Sequence, residues 1–337
     1  MNLFITKTMR YLATAWAAVK KLRRVKLWWV PLTIGIAILL ELLLSNHDSQ
    51  PATKYAYYRY LLFIALAFSL TLAVGTKFFP RRREKLLHLS AFYTAVFLAL
   101  NVYHLATQKF GLLPALFFPS PGRIIEALVV DCRYLIVDCL GSSAKLLAWG
   151  YFTGAIAGFF TGIAVGFNPT AAYWVNPLTR IIGPIPPTAW IPIVLVAFPT
   201  TFSGGAFLIA LSVWFPVAVM TGSGIANVPN AYFEVSSTLG ASRWRQIFYV
   251  GIPAAMPSIF IGLFTGTCSS FITLMTAEML GVKNGIGWYV NWQREMLSYA
   301  NVYAGLIIIA ITFYLLITLL FRLRDVVLVW QKGVIKW

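Results

Sequence analysis

Apolar stretches long enough to cross a lipid bilayer recur along this 337-residue chain, and they constrain its fold more than any other feature. A helix needs about 20 largely apolar residues to cross a hydrocarbon core of about 30 Å. Eight stretches of this kind lie near residues 27–44, 60–76, 86–106, 146–166, 181–198, 206–222, 254–280 and 302–321. They are too long, and alternate too little, to be barrel strands, and lipid offers backbone N–H and C=O groups no partner. We therefore expect an all-α integral membrane protein with about eight transmembrane helices.

Composition and charge exclude other classes of protein. Hydrophobic residues make up 59% of the chain and charged residues 11%, whereas a soluble domain carries about 25% charged residues. The net charge of +17 would favour nucleic-acid binding on a folded surface. Here, however, the basic residues are grouped between apolar stretches, as they are in oriented membrane proteins, so we expect no nucleic-acid partner.

The distribution of Lys and Arg predicts the orientation in the membrane. With the N-terminus inside, segments 1–26, 77–85, 167–180, 222–253 and 322–337 are internal and hold 19 of the 27 Lys and Arg residues. Cytoplasmic loops carry such an excess, so both termini are expected in the cytoplasm. Segment 1–26 runs into apolar sequence without a small-residue cleavage site, which predicts an uncleaved anchor.

Three local patterns predict departures from simple spanning helices. Segment 118–130 is either a helix lying on the membrane surface or a plain connector. Four prolines between Pro184 and Pro192 break the fifth stretch, which predicts either an irregular pore wall or a helix start above the hydrocarbon. Five glycines recur every fourth residue from Gly150 to Gly166 and predict close contact with another helix.

The loop at residues 227–253 is too long to be a simple turn and is predicted to be internal. Asn227 is a fair N-cap for a first helix ending at Leu239, Gly240 supplies a left-handed stop, and Ser242 can cap a second helix. The first helix has apolar and polar sides, so it could lay one side into a groove on a partner protein.

The residue order of this loop is more specific than its periodicity. Glu234 is followed by Leu239-Gly-Ala-Ser and then by Pro253, and this order resembles the signature loop of ABC importer permeases. The family that imports nitrate, sulfonates, taurine and bicarbonate is the most similar. The segments Phe118-Pro-Ser-Pro-Gly, Ile185-Pro-Pro-Thr-Ala-Trp-Ile-Pro, Ala277-Glu-Met-Leu-Gly and Gly285-Ile-Gly-Trp-Tyr resemble family segments in the same order. The chain departs from the family pattern at Val235-Ser236, where the signature has Ala-Ala, and at 198–205, where a Phe-Gly-x-Gly turn is expected.

The resemblance implies a type I importer permease core of six helices at residues 86–337, preceded by an extension with two helices at 1–85. It implies that the loop docks into an ATPase subunit through Glu234, Val235, Ser236, Leu239, Gly240, Ala241, Ser242 and Pro253. The chain has no phosphate-binding Gly-x-x-x-x-Gly-Lys-Ser/Thr loop, so ATP and Mg²⁺ are expected on partner subunits, with no cofactor on this chain and no enzymatic activity of its own. An external solute-binding protein and a second permease subunit, in a homodimer, are the other implied partners. The implied location is the bacterial inner membrane.

The translocation path for a small, anionic solute is expected near the proline-rich break and along the seventh stretch. The expected residues are Pro186, Pro187, Trp190, Ser269, Ser270, Thr273, Thr276 and Glu278. The hydroxyl groups either bind solute or bond their own backbone, and Glu278 is either functional or an interfacial structural residue.

Two other classes of protein fit the sequence less well. An ion-coupled secondary transporter is the alternative, but it would need charged groups inside its helices. A metal or haem enzyme is disfavoured because His88 and His104 would lie about 24 Å apart along one helix.

Overall fold

In the computed structural model, residues 28–47, 56–75, 80–279 and 284–331 are described, and side chains 80–85 and 331 are not. The helices, in chain order, are α1 (Trp29–Leu43), α2 (Tyr57–Gly75), α3 (Pro80–His104), α4 (Pro121–Val130), α5 (Leu140–Phe167), α6 (Pro169–Ile182), α7 (Ile191–Ala197), α8 (Thr201–Ala226), α9 (Asn230–Thr238), α10 (Arg243–Arg245), α11 (Ile252–Met279), α12 (Ile286–Glu295) and α13 (Tyr299–Val327). Wider π-helical turns extend three of them at Leu105–Lys109, Tyr134–Cys139 and Gln246–Gly251. No strand occurs among the described residues, and the predicted all-α fold is confirmed.

Among the described residues, six segments are long and apolar enough to span a membrane, and the bent pair α6 and α7 would make a seventh. The six are Tyr57–Gly75, Leu86–Lys109, Tyr134–Phe167, Thr201–Ala226, Arg243–Met279 and Tyr299–Val327. Two of the eight predicted spans therefore differ from expectation. The first forms the 15-residue α1, which is about 22 Å long and short of the hydrocarbon thickness. The fifth turns by 87° at its break, because prolines there cannot continue a regular helix.

The basic residues on which the orientation depends are only partly visible. Segment 1–26 and residues 77–79 lie outside the described residues, and the side chains of 80–85 are not described. The predicted orientation stays a prediction.

The described residues form two compact units. The first comprises residues up to Val130 with Leu297–Ala304, and the second comprises Asp131–Met296 and the chain from Gly305 onward. The domain division predicted between residues 85 and 86 stays a prediction.

In the first unit, α1 and α2 share a core formed by Ile34, Ala37, Ile38, Tyr58 and Leu62, against which Phe97 and Leu100 of α3 pack. A buried ionic cluster also joins the end of α1 to the end of the α3 segment. The Glu41 carboxylate lies 2.8 Å from Lys109 Nζ and 2.8 Å from His104 Nε2. Lys109 further donates to the carbonyl of Leu44 at 2.9 Å. A buried charge is tolerated where an opposite charge and hydrogen bonds compensate it in this way. Within this cluster, His104 is a structural hydrogen-bond partner of Glu41.

In the second unit, α5, α8 and α11 pack around a core of Leu146, Ile209, Val213, Val217 and Leu274. The glycines of α5 face α8 so closely that side chains would not fit between the two helices. A Cβ atom on Gly154 would lie 2.4 Å from the carbonyl oxygen of Ala210. The predicted close contact of the glycine stripe with another helix is confirmed, and α8 is that helix.

Candidate functional site

The loop at residues 227–253 folds into two short helices joined by a tight turn. We call residues 230–245, which comprise α9, the turn at Gly240 and α10, the knob. Gly240 has φ +76°, and its N–H donates to Ser237 O at 2.9 Å, so the predicted left-handed stop is confirmed. The predicted N-cap is wrong: Asn227 ends α8, with its N–H on Ser223 O, and Pro229 occupies the cap position of α9.

Hydrogen bonds within the knob hold its shape. The hydroxyl groups of Ser236 and Ser237 both donate to the carbonyl of Phe233 at 2.8 Å. Gln246, in the π-helical turn after α10, donates through Nε2 to Ser237 Oγ at 2.7 Å. The hydroxyl groups of Ser236 and Ser237 therefore bond within this loop, and the bond from Gln246 fastens α9 to the turn that follows α10.

The remaining predicted residues of the loop occupy its turn and its far end. Ala241 donates its N–H to Ser236 O at 3.0 Å, which closes the turn around Gly240. Ser242 stands at the N-cap position of α10 in an extended conformation, and it accepts through its carbonyl from Gln246 N rather than through its side chain. Pro253 is the second residue of α11, where π-helical winding gives way to α-helix, and its missing N–H coincides with that change.

One side of α9 exposes large apolar side chains. Tyr232, Val235 and Leu239 are 59%, 58% and 82% exposed. Their spacing of three and four residues places them on one helix face, and Glu234 is exposed beside them. Val235, one of the two positions at which the sequence departs from the family signature, thus belongs to the exposed face. An apolar helix face of this kind is suited to a hydrophobic groove on another protein.

The opposite side of α9 is attached to the helical core through Phe167, the last residue of α5. The ring of Phe233 meets the ring of Phe167 edge to face, with centroids 5.8 Å apart. Gly251, at the end of the π-helical turn that leads into α11, lies so close to Phe167 that a Cβ there would be 2.2 Å from Phe167 Cζ. A single ring therefore touches both the knob and the start of α11. Sequence reasoning missed Phe167, for which the only signal was an aromatic residue just after the last glycine of the stripe.

The proline-rich break lies between α6 and α7. Pro186 is exposed, and residues Pro187–Trp190 form a single turn of 3₁₀ helix. The indole of Trp190 packs on the cluster formed by Ile191, Val194 and Leu208. The irregular backbone predicted here is confirmed, whereas a role for these residues in solute passage stays a prediction.

The hydroxyl groups predicted along the seventh stretch bond mainly to their own helix. Ser270 and Thr273 are buried in α11 and donate to the carbonyls of Thr267 and Ser269 at 2.7 and 3.0 Å. Thr276 donates to Ile272 O at 3.0 Å. Ser269 is half-buried on the same helix. This is the backbone-bonding alternative that the sequence left open. A role in the translocation path stays a prediction for these residues.

Glu278, near the end of α11, is fully buried, and its carboxyl group lies against the N-terminus of α12. Its Oε2 accepts the N–H of Gly287 at 2.8 Å, and Ser143 Oγ beside it accepts the N–H of Ile286 at 2.9 Å. A carboxylate is favoured there by free amides and by the helix dipole. Gly285 has φ +146°, and a Cβ on it would lie 2.5 Å from the Glu278 carboxyl group. The segments around Glu278 and Gly285 were found separately in the sequence, and the structure brings them together as one cap.

A second polar contact fixes α12. Tyr289 is buried, and its phenol donates to Asp131 Oδ2 at 2.6 Å. Burial, together with the hydrogen bond to Asp131, raises the pKa of Tyr289 above its usual range. The phenol therefore remains a protonated donor at physiological pH.

Comparisons with known proteins place this geometry in a family. Residues 151–328, more than half of the chain, match the family described as "Binding-protein-dependent transport system inner membrane component". The taurine transport system permease protein of Escherichia coli (strain K12) is 29% identical over 211 residues, which cover 61% of this chain and 77% of that protein. The nitrate import permease protein of Leptolyngbya laminosa is 32% identical, covering 50% and 62%. The bicarbonate transport system permease protein of Synechococcus elongatus is also 32% identical, covering 48% and 58%.

Among solved structures, a chain of the MetNI methionine ABC transporter in an inward-facing conformation matches with 18% identity and a TM-score of 0.49. The match covers 58% of this chain and 96% of that one. The family match runs from within α5 almost to the end of the described residues, and so it contains the knob, the proline-rich break and the cap at Glu278. The resemblance seen in the sequence is thereby confirmed: this chain belongs to the binding-protein-dependent transport system inner membrane components, as a multi-pass permease subunit of an ABC importer.

Proposed function

We propose that this permease carries a small anionic solute across the membrane and that its knob docks into an ATPase subunit. The observation that carries the proposal is the exposed apolar face of Tyr232, Val235 and Leu239 on a knob that is otherwise hydrogen-bonded internally. The chain has no phosphate-binding loop, so ATP and Mg²⁺ bind to the partner. Helix-in-groove recognition matches the size and shape of α9.

The structure supports a route by which a movement of the knob reaches the spanning helices. Phe233 contacts Phe167 at the end of α5, and Phe167 lies against Gly251 before α11. A displacement of α9 by an ATPase subunit would therefore press on two helices of the core. Rocking of packed helices between discrete arrangements is a known way to alternate access to a site. ATP drives it only if the ATPase contacts differ between the two arrangements.

The proposed solute is an oxyanion of the nitrate, sulfonate or bicarbonate type. The relatives described above are named for taurine, nitrate and bicarbonate, all of which carry such a group. The proposed assembly contains two copies of this permease, two ATPase subunits and an external solute-binding protein. In this proposal both termini and the knob lie on the cytoplasmic side, which the distribution of Lys and Arg supports.

Docking of the ATPase is tested with Leu239→Glu, since Leu239 is the most exposed residue of the apolar face. The full chain, reconstituted with its ATPase subunits in proteoliposomes, is assayed for ATPase co-purification and for ATP-driven uptake of labelled taurine, nitrate and bicarbonate. A charge in an apolar groove is costly, so we expect at least a tenfold loss of ATPase binding. Leu112→Glu is the matched control, because Leu112 is 73% exposed but lies outside the knob. Equal binding by both variants would overturn the docking role.

The turn of the knob allows a second test that leaves its apolar face unchanged. Gly240 has open space around it, so only its positive φ limits substitution. Gly240→Asn tolerates this conformation, whereas Gly240→Val is strained by about 1–2 kcal/mol or more. We expect the complex that contains Gly240→Val to hydrolyse ATP without uptake of solute, whereas the complex that contains Gly240→Asn should couple the two normally. Uptake driven by an ion gradient in the absence of ATP would instead support the alternative, an ion-coupled secondary transporter.

A further inference from the structure

A cavity of about 820 Å³ lies between α6 and α8, at the end of the bundle that adjoins the knob. Its position follows from its lining: Val165 is near the end of α5, and Ser223 and Ala226 are at the end of α8, just before the knob. Its volume falls in the range of small-molecule sites in proteins. Most of the wall is apolar, and Arg180 of α6 is the one charged residue among the described residues that line it.

Helix α6 carries both aromatic and polar exposed side chains. Tyr173 and Trp174 are 71% and 68% exposed, as expected for aromatic residues at a membrane–water interface. Asn176 and Arg180 are four residues apart, so their side chains are neighbours, and both line the cavity while remaining exposed. The basic group is therefore a solvent-accessible part of the cavity wall.

Within the described ranges, the guanidinium of Arg180 has no acidic partner, since no carboxylate lines the cavity and none lies within 4 Å of Arg180 to form an ion pair. Lys109 shows the opposite arrangement, since it is buried with its own carboxylate partner. An exposed basic side chain without a carboxylate partner leaves its guanidinium donors available to a negatively charged ligand that enters the cavity.

The neighbouring polar groups include free hydrogen-bond donors. Ser223 Oγ accepts from Asn227 Nδ2 at 3.3 Å, which leaves the hydroxyl hydrogen available to donate. The Thr179 hydroxyl, in contrast, donates to the carbonyl of Asn176 at 2.9 Å. The available donors are therefore the planar guanidinium fork of Arg180, the Asn176 amide and the Ser223 hydroxyl. A guanidinium fork matches two oxygens of a planar or tetrahedral oxyanion.

We infer that this cavity is an oxyanion-binding subsite on the knob side of the translocation path, in which Arg180 supplies the charge and Asn176 and Ser223 supply further donors. The inference rests on the proposed function, because that function provides the oxyanion solute. Ser223 is three residues from the end of α8, after which the chain enters the knob. A movement of the knob would change the spacing between Ser223 and Arg180, and so couple release of the anion to the ATPase cycle.

The test measures binding to the full chain in nanodiscs made only of phosphatidylcholine, without ATP or an ATPase subunit. Labelled nitrate, ethanesulfonate and bicarbonate are titrated by equilibrium dialysis. We expect at least one of them to bind wild type saturably, Arg180→Gln to weaken that binding by about tenfold or more, and Arg180→Lys to weaken it less. Lys145→Gln is the control, because Lys145 is an exposed basic residue of α5 that does not line the cavity.

Each other outcome overturns the inference. Wild type that binds none of the three anions, or equal binding by wild type and both Arg180 variants, removes the subsite. A phosphate headgroup offers the same chemistry as the solute, so wild type and Arg180→Gln are also compared by native mass spectrometry in nanodiscs containing phosphatidylglycerol. Arg180-dependent retention of that lipid, with no binding of the small anions, would make the cavity a lipid site.

The outcome is separable from failure of the proposed function. ATPase co-purification is measured on the same Arg180 variants and is expected to stay at the wild-type level, since Arg180 lies outside the knob. Lost anion binding with intact co-purification supports the subsite. Arg180-independent binding with intact ATPase docking overturns the subsite alone, and failed docking of the wild type with Arg180-dependent anion binding overturns the proposed function alone.

Discussion

The glycine stripe of α5 makes a quantitative prediction about the stability of the bundle. Gly154 faces the backbone of α8, and a Cβ on it would lie 2.4 Å from Ala210 O and 2.8 Å from Ala210 Cα. Ordinary contact begins near 3.4 Å, so Gly154→Ala would push the two backbones apart by about 1 Å. Backbone atoms cannot change rotamer to make room. The substitution therefore disturbs the packing of neighbouring contacts along the seam.

The expected magnitude follows from two opposing terms. Over-packing costs about 1–3 kcal/mol, and the rigid carbonyl of Ala210 places Gly154→Ala at the upper end of that range. Alanine also favours a helix over glycine by about 1 kcal/mol. We expect the free energy of unfolding to fall by about 2 kcal/mol. Gly141→Ala, in the same helix with no atom within 4 Å of its Cβ, should instead gain up to about 1 kcal/mol.

The assay is unfolding of both purified variants in mixed micelles by increasing fractions of sodium dodecyl sulfate, followed by tryptophan fluorescence and circular dichroism. Gly154→Ala should unfold at a lower detergent fraction than wild type, and Gly141→Ala at an equal or higher fraction. If Gly154→Ala proved as resistant as Gly141→Ala, the two backbones would not be in the contact described, and the reasoning would be refuted.

Two further predictions concern buried polar groups. Lys109→Met removes the lysine that lies 2.8 Å from the Glu41 carboxylate and should lower the free energy of unfolding by about 3–5 kcal/mol in the same assay. Arg59→Gln removes a 3.8 Å contact between an exposed guanidinium and Glu41, and it should lower the free energy of unfolding by at most about 1 kcal/mol. An equal loss of stability in the Lys109 and Arg59 variants would contradict the buried pair of Lys109 and Glu41. Gly285→Ala combines a φ that only glycine adopts readily with a clash on the Glu278 carboxyl group, and should destabilise by about 1–3 kcal/mol or more; unchanged unfolding would mean that this cap does not form.

The knob illustrates what local sequence can predict. Gly240 was expected to stop a helix and does so, because a left-handed residue is a property of one position and its immediate neighbours. The predicted N-cap at Asn227 was wrong because α8 continues to Ala226, so that Asn227 caps the end of α8 instead of the start of α9. The contact of Phe167 with Phe233 was not predictable, since it joins residues far apart in the chain.

The first two helices show a similar limit. The family resemblance implied an extension placed before a six-helix core, and nothing local indicated a specific attachment to α3. The structure shows the Glu41 carboxylate 2.8 Å from both His104 and Lys109, so α1 supplies the counter-charge of Lys109 and a hydrogen-bond partner for His104. A lone acid in an apolar stretch could face lipid, solvent or a partner, and only the position of the neighbouring helix decides which.

The sequence alone determined that this chain is a helical membrane protein of the ABC permease family, with a glycine seam, a broken fifth stretch and a long loop between the sixth and seventh stretches. Those features depend on hydrophobic length, residue spacing and motif order, which are read along one dimension. The tertiary structure alone decided which side chains meet: Glu278 with Gly287, and Arg180 with the wall of a cavity beside the knob. These meetings depend on how each helix is rotated about its axis and on the path between distant segments. Apolar periodicity fixes neither, because in lipid a helix gains little by turning one apolar face rather than another inward.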